Sequence, residues 1–456
     1  MPSLLKSNKA KVYALFLVLV LSAFFGNMSQ TALNAMLPNI VADFDIPMSV
    51  GQWLTTVYML SFGIVVLLAA FLVKRFSTKN LIYLALGLSL VGLVLSMLSW
   101  NFGSLFVGRV CQAAATGILL PLMQTTAMVR FPSNRRATAM GIASIALGVA
   151  PTLGPTLGGL MDFNFGWRSF FVVLIVAMAI LLALGALCVE PEKAPAQSVK
   201  FETPSFILSS LGFGCLLLSF SNASNFSLGS PFVWAPLLVG ALCVFLFVRR
   251  QKRIAEPLIN MDIFKSRQYT IGFIAVNSMF LSHMAAMLIL SLYVQDVCGG
   301  TSLDAGLTLL PGVFAAVFLS PLAGYLADRI GIRLIALVGG IAFALGTLCF
   351  AFVDGDTPLY LTTVIQTVRS IGAAFLIGPM TTWSLVELAR DKVTDGSSFA
   401  LTVRQAIASL GTSFSIFVLT VAHGAYADPV VGYQMSFAFS AVFAIITLGF
   451  IVARVK

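Results

Sequence analysis

Apolar residues run through this chain in long blocks cut by short polar segments, with no sustained alternation of period two. Each block is close to the roughly 20 residues that a helix needs to cross a hydrocarbon layer about 30 Å thick. The pattern predicts fourteen such helices, at 12–36, 50–73, 81–99, 103–128, 137–161, 169–189, 205–222, 232–248, 269–294, 305–327, 333–353, 357–386, 397–422 and 431–453. The fold class is therefore all-α integral membrane.

Composition sharpens this picture: 59% of the 456 residues are hydrophobic, 10% are charged, and the mean hydropathy is +0.98, more than any soluble core requires. The first block follows Lys6, Lys9 and Lys11 but is too long for a cleaved leader and lacks a small-residue cleavage site, so it is expected to stay. Neither end shows a myristoylation or prenylation pattern. With both termini placed inside, all of the 27 Lys and Arg residues except four fall in cytoplasmic segments. The four are Arg168, which lies outside, and Arg109, Arg369 and Arg404, which lie within spans. The net charge of +10 is thus a topology signal spread over many loops, and no polar domain is large enough to hold a nucleic-acid module. Six cysteines lack metal-ligand spacing, so neither metal nor other cofactor is expected.

Two polar breaks, around 190–204 and 249–268, divide the chain into six spans, two spans and six spans. The expected units are a bundle over 1–190, a linker with two added helices over 191–256, and a second bundle over 257–456. The sixes look like weak repeats, since AFLVKRFSTKN after span 2 sits where GYLADRIGIR occurs after span 10. Proteins built from paired membrane bundles hold their substrate at the midplane between the halves and rock around it.

Span 5 reads GIASIALGVAPTLGPTLGGLMD, with Gly148, Gly154, Pro155, Gly158 and Gly159. Such small residues let helix backbones come close, which serves tight packing as readily as function. The string resembles the antiporter motif of the major facilitator superfamily. GYLADRIGIR, with Gly324, Asp328, Arg329, Gly331 and Arg333, resembles that superfamily's loop between second and third helices. GRVCQAAATGILLP, with Arg109, Gln112 and Pro121, resembles its fourth-helix motif. QWLTTVYML (Gln52, Trp53, Tyr58), TALNAMLPNI (Asn34, Pro38) and Arg404-Gln405 resemble segments of the fourteen-span drug:proton antiporter branch. The resemblance covers nearly the whole chain.

It implies the major facilitator fold, two six-helix bundles plus two central helices with both termini cytoplasmic, in the inner (plasma) membrane. It further implies a monomer that exchanges a small amphipathic substrate for protons by alternating access. The loop residues Asp328, Arg329 and Arg333 read as a gating latch. Its N-terminal copy departs from the pattern, with Lys74 in place of the acid and Ser77 in place of a glycine. Resemblance assigns Arg109 to proton coupling. Snorkelling to the interface is the plainer reading of that residue.

Gln52, Trp53, Tyr58, Gln112 and Arg404 are expected to line a substrate cavity, and polar stripes complete it: Asn27, Gln30, Thr31 and Asn34 in span 1, Gln366 and Arg369 in span 12, and Gln405, Ser409 and Thr412 in span 13. Interhelical hydrogen bonding is their alternative. All 17 Asp and Glu residues sit in loops or at span ends, and Ser29 stands where relatives of this branch carry an acid. Asp162 and His283 are the substitutes available for a proton step. Three membrane arginines and no buried acid favour a neutral, zwitterionic or anionic substrate. Two rivals remain. An uncoupled facilitator or importer fits the missing acid, and a membrane-embedded transferase is disfavoured because His283 and His423 have no acid close by in sequence.

Overall fold

The computed structural model describes residues 2–188, 201–223, 230–254, 256–426 and 428–455, so the expected division at 190/191 lies outside the described residues. Fourteen helices long and apolar enough to cross a membrane are present, and no strand occurs among the described residues. They are α1 Ala10–Asp43, α2 Trp53–Arg75, α3 Thr78–Met97, α4 Phe102–Arg130, α5 Ser133–Phe165, α6 Arg168–Leu187 and α7 Thr203–Phe220. The rest are α8 Pro231–Gln251, α9 Arg267–Asp296, α10 Leu303–Ile330, α11 Ile332–Phe352, α12 Leu359–Val386, α13 Val393–His423 and α14 Pro429–Arg454.

Local chemistry sets the helix ends. Asn101 and Ser104 form a reciprocal capping box before α4, and Thr301 with Asp304 does the same before α10. Gly166 (φ +79°) and Gly331 (φ +99°) end α5 and α10 in a conformation that other residues resist. Helix α1 runs past the expected end at residue 36, through Pro38, to Asp43. The Asp43 carboxylate there receives Trp167 Nε1 at 2.9 Å and Arg168 Nη1 at 2.7 Å. Helix α5 is interrupted by a π-helical stretch at Ile145–Val149, just before Pro151 and Pro155, as expected where proline removes donors from the ladder.

Helices α1 to α6 and α9 to α14 form two bundles with one packing plan. In the first, α1 lies on α5, α2 on α4, and α3 on both α4 and α6; in the second, α9 lies on α13, α10 on α12, and α11 on α12 and α14. Helix α7 fills the outside of the seam between α2 and α13, and α8 packs on α7, where Gly212 and Gly240 let the two backbones touch. The far side of α8 exposes Leu238, Leu242 and Phe245, as a lipid-facing surface should. Arg250 at the end of α8 binds Glu202 at 2.9 Å and, with Ser205, holds that carboxyl down at about 2. This tie stays charged through the whole physiological range and weakens only as pH falls towards 2.

The bundles meet at the Lys/Arg-rich face. Asp328 at the end of α10 accepts the backbone N–H groups of Ala137 (3.1 Å) and Thr138 (2.7 Å) and the Thr138 hydroxyl (2.6 Å). A carboxylate from one bundle thus caps a helix N-terminus of the other, where the helix dipole favours negative charge. Beside it α5 crosses α10 so closely that a Cβ on Gly141 would lie 3.1 Å from Gly324 Cα, and one on Gly324 would run into the Ala137 carbonyl. Of the other loop residues, Arg329 is exposed over the Tyr325 ring and Arg333 is exposed, neither in an ion pair among the described residues. Of the loop residues expected to form a latch, Asp328 is the one that bonds across to the other bundle here.

At the corresponding end of α2 the two bundles are joined by a contact in which the charges are exchanged. Lys74, at the C-terminal end of α2, sits 2.7 and 2.8 Å from the two oxygens of Asp395 in the first turn of α13. Asp395 is buried and also accepts the Asn260 N–H at 3.0 Å. Each charge occupies the helix end that its sign prefers. Thr125 and Thr394 meet nearby, hydroxyl to hydroxyl at 3.1 Å.

Cysteines placed at Thr125 and Thr394 in a chain otherwise free of cysteine should form a disulfide readily. Lys74→Glu should slow that cross-link about tenfold, the effect of a shift of roughly 1.4 kcal/mol, because it strands a buried carboxylate. The exchange Lys74→Asp with Asp395→Lys should restore much of it. Equal cross-linking in all three would show that the pair holds nothing.

Candidate functional site

Between the bundles lies a cavity of about 160 Å³. Asn27, Gln30 and Thr31 of α1 and Arg404, Gln405, Ser409 and Thr412 of α13 bring polar groups to it, while Met59, Phe62, Leu120, Leu147, Phe280 and Met284 form apolar walls. No carboxylate lines it. Asn27 and Thr31 have a second task there. Asn27 Nδ2 donates to Ala146 O at 2.7 Å and Thr31 Oγ1 to Pro151 O at 2.8 Å, so these side chains occupy carbonyls along the π-helical break of α5.

Arg109 is fully buried inside the first bundle, away from this cavity. Its Nη1 reaches Ser29 O (3.0 Å), Ser29 Oγ (3.1 Å) and Gln112 Oε1 (3.0 Å), Nη2 reaches Gln30 O at 3.4 Å, and the guanidinium lies 4.3 Å from the Tyr58 ring centre. Ser29, standing where an acid is expected, offers its hydroxyl and carbonyl instead. Tyr58 donates to Gly26 O at 2.8 Å, and Gln112 Nε2 donates to Gly92 O and Ser96 Oγ. Tyr58 and Gln112 therefore belong to this internal network; neither lines the cavity.

The second bundle repeats the device. Arg369 of α12, also fully buried, sends Nη1 to Gln366 Oε1 at 2.8 Å and Nη2 to the carbonyls of Ser282 (3.3 Å) and His283 (2.7 Å) on α9. In each bundle, an arginine on the fourth helix binds two consecutive carbonyls of the first and a glutamine three residues away on its own helix. His283 Nδ1 lies 3.5 Å from Arg369 Nη2, and His283 and Gln366 line a separate chamber of about 30 Å³, room for a single water.

The remaining candidates are scattered. Gly154 and Gly158 seat α5 on α1: a Cβ on either would lie within 2.6 to 2.8 Å of the Met28 or Ala32 carbonyl. Gly148 faces Ile377 of the other bundle, and Gly159 is under no such constraint, with only ordinary contact to Ala35. Pro155 is inside the last section of α5, and Asp162 near its end is buried and accepts Asn39 Nδ2 at 2.8 Å. Asn34 accepts the Thr55 hydroxyl in an exposed position, and Gln52 and Trp53 are exposed at the start of α2. None of these last three lines the cavity.

Sequence reasoning did not single out Asp395, Thr138, Gly141 or Gln124. A span starting at 397 leaves Asp395 in a loop, whereas α13 begins earlier, at Val393, and includes it in its first turn. Asp328 is visible in a motif; the donors it accepts from, Ala137 and Thr138, lie about 190 positions away and carry no local signal.

Removing an acceptor leaves a buried guanidinium one partner short. Gln112→Leu should therefore cost about 2–3 kcal/mol, read as a lower thermal midpoint in detergent, and Arg109→Met on top of it should recover part of the loss. Gln366→Leu and Arg369→Met should behave alike. A double variant no more stable than the single would contradict this account of the network.

The family model described as Major Facilitator Superfamily matches residues 19–412. The chain is 32% identical to the lincomycin resistance protein LmrB of Bacillus subtilis over 99% of its own length and 98% of the relative's. It is 26% identical to the multidrug export protein EmrB of Haemophilus influenzae, over 89% and 80%. Among solved structures it resembles the proton:xylose symporter XylE, with a TM-score of 0.66 and 13% identity over 97% of this chain and 96% of that one, a likeness of fold. Two like six-helix bundles about a central cavity, with two added membrane helices, together with these matches make the chain a transporter of the major facilitator superfamily.

Proposed function

We propose that the chain is a proton-coupled exporter of small amphipathic compounds in the plasma membrane, acting as a monomer and alternating between the state seen here, shut at the basic face, and one open to it. The observation that carries this reading is the cavity, with apolar walls and polar stripes from both bundles, above a closure made of a few separable charged contacts. Export of drugs by EmrB and the resistance name of LmrB support the substrate class. The units 1–190, 191–256 and 257–456 correspond, on this reading, to two moving bundles and a helix pair riding on their seam.

For the proton step, Asp162 and His283 are the titratable groups on offer: one buried at the outer end of α5 beside α1, the other in the small chamber against Arg369. Arg109 acts through the carbonyls of α1 that it holds. A second reading, an uncoupled facilitator, is favoured by one observation, the absence of any carboxylate from the cavity lining.

Purified protein in liposomes with a trapped pH dye separates the two. The exporter reading expects substrate addition to move protons, uphill flux to stop when the proton gradient is collapsed, and Asp162→Asn or His283→Gln to cut proton movement while downhill flux continues. Flux that only ever runs downhill, with no change in internal pH, would establish the facilitator.

A further inference from the structure

Three arginines, Arg109, Arg369 and Arg404, lie away from the ends of the membrane helices, and they are employed differently. Arg109 and Arg369 are pinned to carbonyls and glutamine oxygens of their own bundles, each leaving only Nε without an acceptor. Arg404, only 6% exposed, leaves both Nε and Nη1 without an acceptor. Its guanidinium lies over the Phe280 ring, 4.3 Å from the centre, and it is the arginine that borders the central cavity.

Arg404 also borders a smaller pocket next to the cavity, where the two bundles meet. Three further buried polar atoms there lack partners: Gln124 Nε2 from the first bundle, and Asn277 Oδ1 and Ser397 Oγ from the second. Tyr269, the other polar ring in this pocket, donates its hydroxyl to Gly396 O at 2.9 Å. The nearest acid along α13, Asp395, is engaged by Lys74 and the Asn260 N–H. A water molecule can satisfy a hydrogen bond, yet it does not balance a guanidinium charge, and nothing lining either pocket carries a negative one.

We propose that Arg404 is the anchor for the anionic head group, a carboxylate or similar oxyanion, of an amphipathic substrate whose apolar body lies against Phe280, Met284, Met59 and Phe62. The inference rests on the transport reading above and adds the charge of the substrate. A planar guanidinium presents parallel donors that match an oxyanion better than a point charge does. Because Arg404 borders both the cavity and the pocket at the seam, an anion held there stays on the second bundle while Gln124, on the first, withdraws as the basic face opens. Two sources could supply such an anion, the substrate itself or an inorganic counter-ion such as chloride, and the proposal commits to the substrate.

The test uses the purified full chain in liposomes with 1-naphthylacetate and its uncharged partner 1-naphthylacetamide, in chloride and in gluconate buffers. Wild-type protein should take the acid with a KM about tenfold lower than the amide, in either buffer. Arg404→Gln should bring the two KM values together, and Arg404→Lys, which keeps the charge but not the planar fork, should retain part of the preference. Monodispersity on gel filtration and the thermal midpoint report whether each variant is folded, and the wild-type ratio needs no variant. Equal KM values in wild type, or a preference unchanged in a folded Arg404→Gln, would overturn the anchor and leave the transporter reading standing. Transport of the amide that requires chloride and loses that requirement in Arg404→Gln would overturn it too, by showing an inorganic counter-ion at the site. Movement of neither probe would also overturn it, and the trapped-dye assay then decides the transport reading separately.

Discussion

Every other feature of this molecule depends on how two bundles of apolar helices are held together at one end without being fused. Hydrophobic burial cannot do this selectively in a bilayer, because lipid tails are as apolar as the helix surfaces. The closure instead uses charge at helix ends: Asp328 on the N–H groups of Ala137 and Thr138 in the first α-helical turn of α5, and Lys74 on Asp395. These contacts sit where water can reach one side of them, since Lys74 is a quarter exposed, so breaking them costs far less than breaking a dry ion pair. The close crossing at Gly141 and Gly324 gives that closure its fit.

Inside each bundle the polar chemistry has the opposite character. Arg109 and Arg369 are dry, fully buried and bonded to consecutive carbonyls of the first helix of their bundle, which fixes the rotation of that helix about its axis. Rotation matters because α1 carries both the residues that meet the cavity and those that fasten α5. A turn of a third of the circumference would take Gln30 out of the cavity and Asn27 off the Ala146 carbonyl. The two buried arginines brace the first helix of each bundle, and Arg404 is the one with donors left unpaired.

The break in α5 links these two regions. Small residues and prolines allow α5 to lie against α1 on one side and to cross α10 and α12 on the other, and carbonyls in and just after the π-helical stretch, at Ala146 and Pro151, are met by side chains of α1. Irregular backbone is tolerated at membrane depth only where protein encloses it or a cavity borders it. Here both conditions hold, so a change of shape in α5 passes directly to the cavity wall and to the seam.

The sequence by itself determined the number of spans, their order, the basic face, the six-two-six plan and the family resemblance, because apolar block length and the placement of Lys and Arg are one-dimensional signals that survive without knowledge of neighbours. Only the tertiary structure decided where each polar side chain points. Arg109, Arg369 and Arg404 read alike in sequence, each an isolated cation in an apolar helix. They differ because two meet carbonyls across a helix contact and the third meets an open space. Lys74 read as a lost acid until folding brought Asp395, 321 positions away, into reach. The same limit applies to Tyr58 and Gln112, expected in the cavity and found packed around Arg109. Which face of a helix a residue occupies can be read from its spacing, but whether that face meets lipid, protein or substrate is set by how the helix is turned against its partners, and those partners come from distant parts of the chain.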